Sequence, residues 1–312
     1  MNQTPKGLLA AALSVSMLLA GCTASAREAN LAEDAFNIVA TTTMLADLTE
    51  VIGGDRVKVD GLMGPGIDPH LYQASAGDVT LMQKADAVVY NGLHLEGKMG
   101  EIFENLTGQG MAVICIEEGL DQSKLLSSVD DSSVHDPHIW FDVSHWKSAA
   151  QTVATKLSEV DPDGASDYEA NLSAYLKELD ETDTYIRERA SELSEEQRVL
   201  VTAHDAFQYF GKAYGFEVRG LQGISTDAEA GTADVSDLAR FIVDRQIKAI
   251  FVESSVPPKT IEALQAAVKA QGFDVAIGGE LYSDSLGDSD SGADTYIRTV
   301  KANIDTIVDA LK

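Results

Sequence analysis

The chain has 312 residues, of which 45% are hydrophobic, and its formal net charge at pH 7 is −27. The length and the apolar fraction are those of a globular protein with two domains, while the strong acidity excludes a nucleic-acid partner, which would need basic patches. The sequence contains no complete phosphate-binding loop and no Gly-x-Gly-x-x-Gly or Gly-x-Ser-x-Gly motif. Nucleotide binding and serine-hydrolase chemistry therefore lack support.

The N-terminal segment predicts a secretory signal. Lys6 precedes an apolar run, residues 7–20, which ends in Leu-Ala-Gly directly before Cys22. The run is shorter than the roughly 20 residues of a transmembrane helix, and its end is typical of a cleaved lipoprotein signal. We expect residues 1–21 to be removed and a lipid on Cys22 to hold the protein on the extracytoplasmic side of the cell membrane. Residues 22–35, which are small and polar, predict a tether.

From residue 36 onwards, short β-branched runs alternate with helical patterns. Strands are predicted at residues 37–42, 57–62, 87–90, 111–116, 198–202, 217–221, 249–254 and 274–278. This alternation is typical of parallel sheets with crossover helices. We predict an α/β fold of two lobes, residues 36–160 and 195–312, each with a parallel sheet flanked by helices.

A different pattern separates the two halves. Apolar and aromatic residues recur at spacings of three and four after residue 161, and neither Pro nor Gly interrupts residues 165–193. This pattern predicts one helix, about 40 Å long. We interpret residues 161–194 as a rigid helix that connects the lobes; the alternative is an ordinary surface helix of one domain.

Three histidines and one aspartate follow predicted strands, in loops. Two of the histidines share an Asp-Pro-His sequence, and the four candidates are His70, His138, His204 and Asp284. Ligands of open α/β sheets bind at the carboxyl ends of strands, and two candidates come from each half. We therefore predict a site in the cleft between the lobes. Three imidazoles and one carboxylate suit zinc and also tolerate manganese.

Nearby residues are candidates for supporting this site. Asp136 and Asp142 bracket His138, and either could accept the second ring N–H of a ligand or act only as a turn or cap residue. Glu253, at the end of a predicted strand, could do the same and ranks below them. His94 is expected to pack or hydrogen-bond near the site.

Five short segments follow one another in a distinctive order: Gly-Ile-Asp-Pro-His at 66–70, Asn-Gly-Leu-His-Leu-Glu at 91–96, Asp-Pro-His-Ile-Trp at 136–140, Thr-Ala-His-Asp-Ala-Phe at 202–207 and Glu-Leu-Tyr-Ser-Asp at 280–284. On these segments the chain resembles the zinc and manganese solute-binding lipoproteins of bacterial ABC transporters, the ZnuA/TroA-like family. The resemblance extends from about residue 37 to the end of the chain. It implies two α/β lobes joined by a rigid helix, with His70, His138, His204 and Asp284 holding the metal between them.

The resemblance also implies a function: a receptor, not an enzyme, that carries one divalent ion to an ABC transporter permease, and we expect a monomer. Zinc receptors often have a histidine-rich loop before the second ligand, whereas residues 124–135 contain one histidine. Manganese receptors often have Glu where this chain has His204. Zinc is therefore favoured and manganese is possible. A metallohydrolase is the second hypothesis, opposed by the absence of a free coordination position, and an adhesin is the third.

Overall fold

The computed structural model describes residues 35–127 and 133–312, together with Met1. The predicted signal peptide, the lipidation site Cys22 and nearly all of the tether lie outside the described residues, so these stay predictions. Among the helices of the described part, none is sufficiently long and apolar to cross a membrane.

The first lobe contains a four-stranded parallel sheet in the order β2-β1-β3-β4. Its strands are β1 (Phe36–Ala40), β2 (Val57–Gly61), β3 (Ala87–Tyr90) and β4 (Ala112–Cys115). Its helices are α1 (Thr43–Gly53), α2 (Ala76–Lys84), α3 (Gly100–Gly108) and α4 (Val143–Val160). The β-branched residues of β1 and β3 are buried because helices cover both faces of a parallel sheet.

One long helix, α5 (Ala165–Ala190, 26 residues), follows a short 3-10 turn at Pro162–Gly164. Its buried residues recur along one stripe, for example Tyr168, Tyr175 and Leu179. The helix packs against α1 and α4 of the first lobe and against the C-terminal helix of the second lobe. It therefore links the lobes, as predicted, rather than belonging to one of them. The predicted domain boundaries at residues 160 and 194 stay a prediction.

The second lobe contains two parallel strand pairs, β5 with β6 and β7 with β8, and β5 lies beside β7. Its strands are β5 (Val199–His204), β6 (Glu217–Gln222), β7 (Ala249–Glu253) and β8 (Ala276–Leu281). Its helices are α6 (Gln208–Tyr214), α7 (Thr232–Arg245), α8 (Lys259–Ala270) and α9 (Tyr296–Leu311).

The largest hydrophobic core is shared between the lobes. It runs from residues of the first sheet, such as Ile38, through α4 and α5 to Ile304 on α9. Within it the rings of Trp146 and Tyr296 stack with centroids 4.7 Å apart. Because both lobes contribute to one closely packed interior, this core holds the lobes in a defined relative position.

Candidate metal centre

The four predicted ligands converge on one buried point. One ligand atom from each of His70, His138, His204 and Asp284 lies within 4.8 Å of those of the other three. The Nε2 atom of His138 lies 3.3 Å from Nε2 of His70 and 3.2 Å from Nε2 of His204. The two oxygens of Asp284 complete the group, Oδ2 at 3.3 Å from the Nε2 of His204 and Oδ1 at 3.5 Å from that of His138.

These separations match a coordination sphere better than a hydrogen-bond network. Ligand atoms placed tetrahedrally at about 2.0–2.1 Å from one ion are about 3.3 Å apart. Three ring nitrogens that face one another cannot all donate and accept satisfactorily, because a neutral imidazole carries one N–H. In addition, Oδ1 of Asp284 is buried and has no hydrogen-bond partner among the described residues. A cation shared by the four atoms would satisfy all of them.

The repeated Asp-Pro-His sequence has a local structural reason. In both copies the aspartate accepts a hydrogen bond from the backbone N–H of the histidine two residues later: Asp68 from His70 at 2.9 Å, and Asp136 from His138 at 2.9 Å. Such Asx turns fix the backbone at each histidine. The two turns present their imidazoles to the same point from different loops of the first lobe.

Each turn is also tied to other parts of the molecule. Asp136 Oδ1 lies 2.7 Å from Nδ1 of His138, so it orients the ring as well as the backbone. Asp68 Oδ2 instead accepts a hydrogen bond from the hydroxyl of Thr226 in the second lobe, at 2.6 Å. The loop of His70 therefore contacts both lobes. His138 was predicted to follow a strand. It lies instead at the end of the long loop after β4, directly before a 3-10 turn, Ile139–Phe141.

His204 is the last residue of β5, and its partner is Glu253, the last residue of the adjacent β7. Glu253 Oε1 accepts a hydrogen bond from the backbone N–H of His204 at 2.8 Å, and Oε2 lies 2.5 Å from Nδ1 of its ring. Asp142, in contrast, caps helix α4 by accepting from the backbone N–H of Ser144 at 2.7 Å. The ranking of Glu253 below Asp142 was therefore wrong.

The electrostatics of the centre favour a cation. Burial lowers the pKa of His70 to about 3, which keeps this imidazole neutral. Burial also opposes the charged form of His204, yet the carboxylates of Asp284 and Glu253 raise the pKa of His204 well above its usual value. Burial would raise the pKa of Asp284, but the three histidines hold it well below its usual value. Asp284 is therefore a permanent anion in a buried site.

The segment at residues 91–96 supports the metal centre through Asn91 and Glu96 rather than through His94. His94 is exposed and lines a surface cavity with His135, so its predicted place near the site is wrong. The side chain of Asn91 instead donates to the carbonyl of Pro137, directly before His138, at 3.1 Å. Glu96 is buried and accepts from the backbone N–H of Asn91 at 2.9 Å. These two residues support the loop that carries the second histidine.

The fold and the buried cluster together define a class of protein. It is that of the solute-binding proteins in which one helix joins two lobes and side chains suited to bind a metal meet in the cleft between them. A sequence profile described as "Zinc-uptake complex component A periplasmic" matches residues 38–310. The chain belongs to this ZnuA family of solute-binding receptors, which are not enzymes.

Individual relatives are similar over nearly their whole length. The zinc-binding protein TroA of Treponema pallidum (strain Nichols) is 47% identical over 295 residues, which cover 94% of this chain and 95% of TroA. The manganese-binding lipoprotein MntA of Bacillus subtilis (strain 168) is 42% identical over 308 residues, covering 98% and 99%. A solved structure of the periplasmic zinc-binding protein TroA from Treponema pallidum superposes with a TM-score of 0.86 at 48% identity, covering 89% of this chain and 99% of that one.

Proposed function

We propose that this protein is an extracytoplasmic receptor that binds one divalent metal ion and delivers it to an ABC transporter permease. The ion is held by His70, His138, His204 and Asp284. The observation that carries this proposal is the set of four buried ligand atoms, two from each lobe, all within 4.8 Å of one another. Four protein ligands leave no coordination position for a reactive water. A closed site of this kind suits a receptor, whereas a zinc hydrolase keeps one position open for water.

Zinc is the favoured ion, and manganese is the alternative. Three imidazole nitrogens and one carboxylate bind zinc more tightly than manganese in general. The two relatives described above differ in the metal for which they are named, zinc for TroA and manganese for MntA. In the cell, the supply of each metal also decides which ion occupies the site.

We also propose the arrangement of the chain around this core. A lipid on Cys22 anchors a monomer to the membrane, residues 22–35 act as the tether, and residues 36–160, 161–194 and 195–312 form the first lobe, the connecting helix and the second lobe. The lipid anchor is supported by the sequence around Cys22 and by the relative MntA, which is named a lipoprotein. Mass spectrometry of the membrane-bound protein tests the anchor, because a diacylglycerol-modified Cys22 is expected at the mature N-terminus.

Titration of chelator-treated protein tests the metal site. The parent should bind one Zn²⁺ or Mn²⁺ per chain, and His138→Ala should lose tight binding because one ligand atom is gone. His94→Ala is the control and should bind as the parent does, since His94 is exposed and not one of the four. Equal affinity and stoichiometry in parent and His138→Ala would contradict the proposed function.

A further inference from the structure

The chain has two tryptophans, and one of them lies between two of the proposed ligands. The rings of Trp140 and His138 meet in a T-shaped arrangement, with centroids 5.3 Å apart and an interplanar angle of 70°. Its indole Nε1 donates a hydrogen bond to the carbonyl of Ser283 at 3.0 Å. Since Ser283 directly precedes Asp284, one side chain contacts both a ligand of the first lobe and the backbone beside a ligand of the second.

Trp140 is itself held from outside the metal centre. The hydroxyl of Tyr296 donates to the backbone carbonyl of Trp140 at 2.7 Å. Tyr296 is the first residue of helix α9 and stacks on Trp146 in the shared core. The position of Trp140 is therefore set by the core rather than by the ligands it contacts.

The loop that carries Asp284 follows β8 of the second lobe but is hydrogen-bonded to the first lobe. Three hydrogen bonds cross between the lobes here: from Trp140 to the Ser283 carbonyl at 3.0 Å, from the Gly66 N–H to the Ser285 hydroxyl at 2.8 Å, and from the Leu286 N–H to the Thr43 hydroxyl at 2.8 Å. The first of these acts on the peptide group between residues 283 and 284, so it fixes the backbone orientation of Asp284 directly.

The carboxylate of Asp284 depends on this backbone support because, apart from the neighbouring ligand rings, it has few hydrogen-bond partners. Within the described part of the chain, the hydroxyl of Ser255 donates to Oδ2 at 3.2 Å, and Oδ1 has no hydrogen-bond partner. Ser255 also bonds the hydroxyl of Ser283 at 2.8 Å. The direction of the carboxylate therefore follows from how residues 283–285 are held.

We propose that Trp140 is a positioning residue for the metal site: its ring orients His138, and its N–H fixes the peptide beside Asp284, so that the two ligands keep their separation. The inference rests on the proposed function, since it assigns to Trp140 a contribution to metal affinity. Residues that orient metal ligands typically contribute 10–100-fold to metal affinity.

The chain offers a matched pair of variants. Trp140→Phe removes the N–H that holds Ser283 and keeps an aromatic ring beside His138. Trp146→Phe makes the same chemical change at another buried site, where Nε1 donates to the hydroxyl of Tyr175 on helix α5 at 3.1 Å. Both variants should lose thermal stability in the metal-free form, because each leaves a buried polar group without its donor. Only Trp140→Phe should weaken Zn²⁺ binding, by roughly tenfold, in competition titrations with a chelator.

Tryptophan emission gives a second readout, because each variant retains one tryptophan. In Trp146→Phe the remaining Trp140 should change its emission when Zn²⁺ is added, whereas Trp146 in the Trp140→Phe variant should change much less. This readout still decides the matter if Trp140→Phe does not fold: an unchanged emission of Trp140 on Zn²⁺ binding would overturn the inference.

Two further results would overturn it. One is a Zn²⁺ affinity of Trp140→Phe equal to that of the parent, and the other is an equal loss of affinity in both variants, which would indicate general loosening of the core. If the parent itself binds neither Zn²⁺ nor Mn²⁺, the proposed function fails and this inference fails with it. The parent titration therefore separates the two cases.

Discussion

Glu253 and His204 end two neighbouring strands of the second lobe, and the carboxylate of Glu253 contacts both the backbone N–H and the ring of His204. The side-by-side position of the two strand ends thus fixes the direction of a proposed ligand. A carboxylate in this position sets which ring nitrogen carries the proton and leaves Nε2 free to bind a metal.

Glu253→Gln should therefore weaken metal binding. The amide keeps the size of the side chain but removes the charge that stabilises the Nδ1–H form of His204, and we expect about a tenfold loss of Zn²⁺ affinity. Asp142→Asn is the control, because Asp142 caps helix α4 and asparagine caps equally well. Isothermal titration of both variants gives the comparison; equal affinities would show that Glu253 does not support the site.

Metal selectivity should change at position 204. His204→Glu makes the set two imidazoles and two carboxylates, which favours manganese relative to zinc. We expect the ratio of zinc to manganese affinity to fall by about tenfold or more. The new carboxylate would face Glu253, so His204→Glu combined with Glu253→Gln serves as the second variant, in which like-charge repulsion is removed. An unchanged affinity ratio in both variants would mean that His204 does not bind the metal.

Metal binding should weaken as the pH falls. The pKa of His204 in the metal-free protein is raised by Asp284 and Glu253, so the ring holds a proton at neutral pH that the metal must displace. Affinity should then rise by about tenfold for each pH unit across the neutral range, until the pH exceeds the pKa of His204. Glu253→Gln lowers that pKa and should flatten the slope. Competition titrations between pH 6 and pH 8 provide the test, and a flat profile in the parent would contradict the prediction.

Asp47 gives a stability prediction that is independent of the metal. Burial raises its pKa to about 6, although its carboxylate accepts a hydrogen bond from the backbone N–H of Tyr296 at 2.9 Å. The folded state thus binds more protons than the unfolded state between about pH 4 and pH 6, so the contribution of Asp47 to stability falls as the pH rises through this range.

Asp47→Asn removes this titration while keeping an acceptor for Tyr296. We expect the variant to exceed the parent in the free energy of unfolding by about 1–2 kcal/mol at pH 7. The difference should shrink as the pH falls and vanish at about pH 3, below the unfolded-state pKa, where Asp47 is protonated in both states. Urea unfolding of the metal-free proteins at the two pH values measures it; a gain of the same size at both would rule out the titration of Asp47 as its cause.

The sequence predicted the strands well because their β-branched runs are local signals. The pattern at 87–90 coincides with β3, for example, and the buried thiol of Cys115 ends β4. The long helix was also predicted, at residues 161–194, but it spans Ala165–Ala190, with a 3-10 turn at Pro162–Gly164 before it. Ser194 begins a separately capped 3-10 turn just beyond it, which competes with further helix.

The four proposed ligands could be predicted because each lies in a short motif. The residues that orient them could be predicted only in part. Asp136 is two residues from His138, so its role was visible locally, whereas Glu253 reaches His204 only because β7 lies beside β5. Which strands lie side by side is a property of the whole lobe, and no local pattern encodes it. The same reason explains why the bond from Trp140 to Ser283, 143 residues away in sequence, was not foreseen.

Anomalous X-ray diffraction from crystals of the zinc-loaded protein tests the central claim most directly. The account predicts a single strong peak per chain within about 2.0–2.2 Å of Nε2 of His70, His138 and His204 and of a carboxylate oxygen of Asp284. A peak with fewer than three of these imidazoles around it, or with a water molecule in place of Asp284, would contradict the closed four-ligand site and the receptor function built on it.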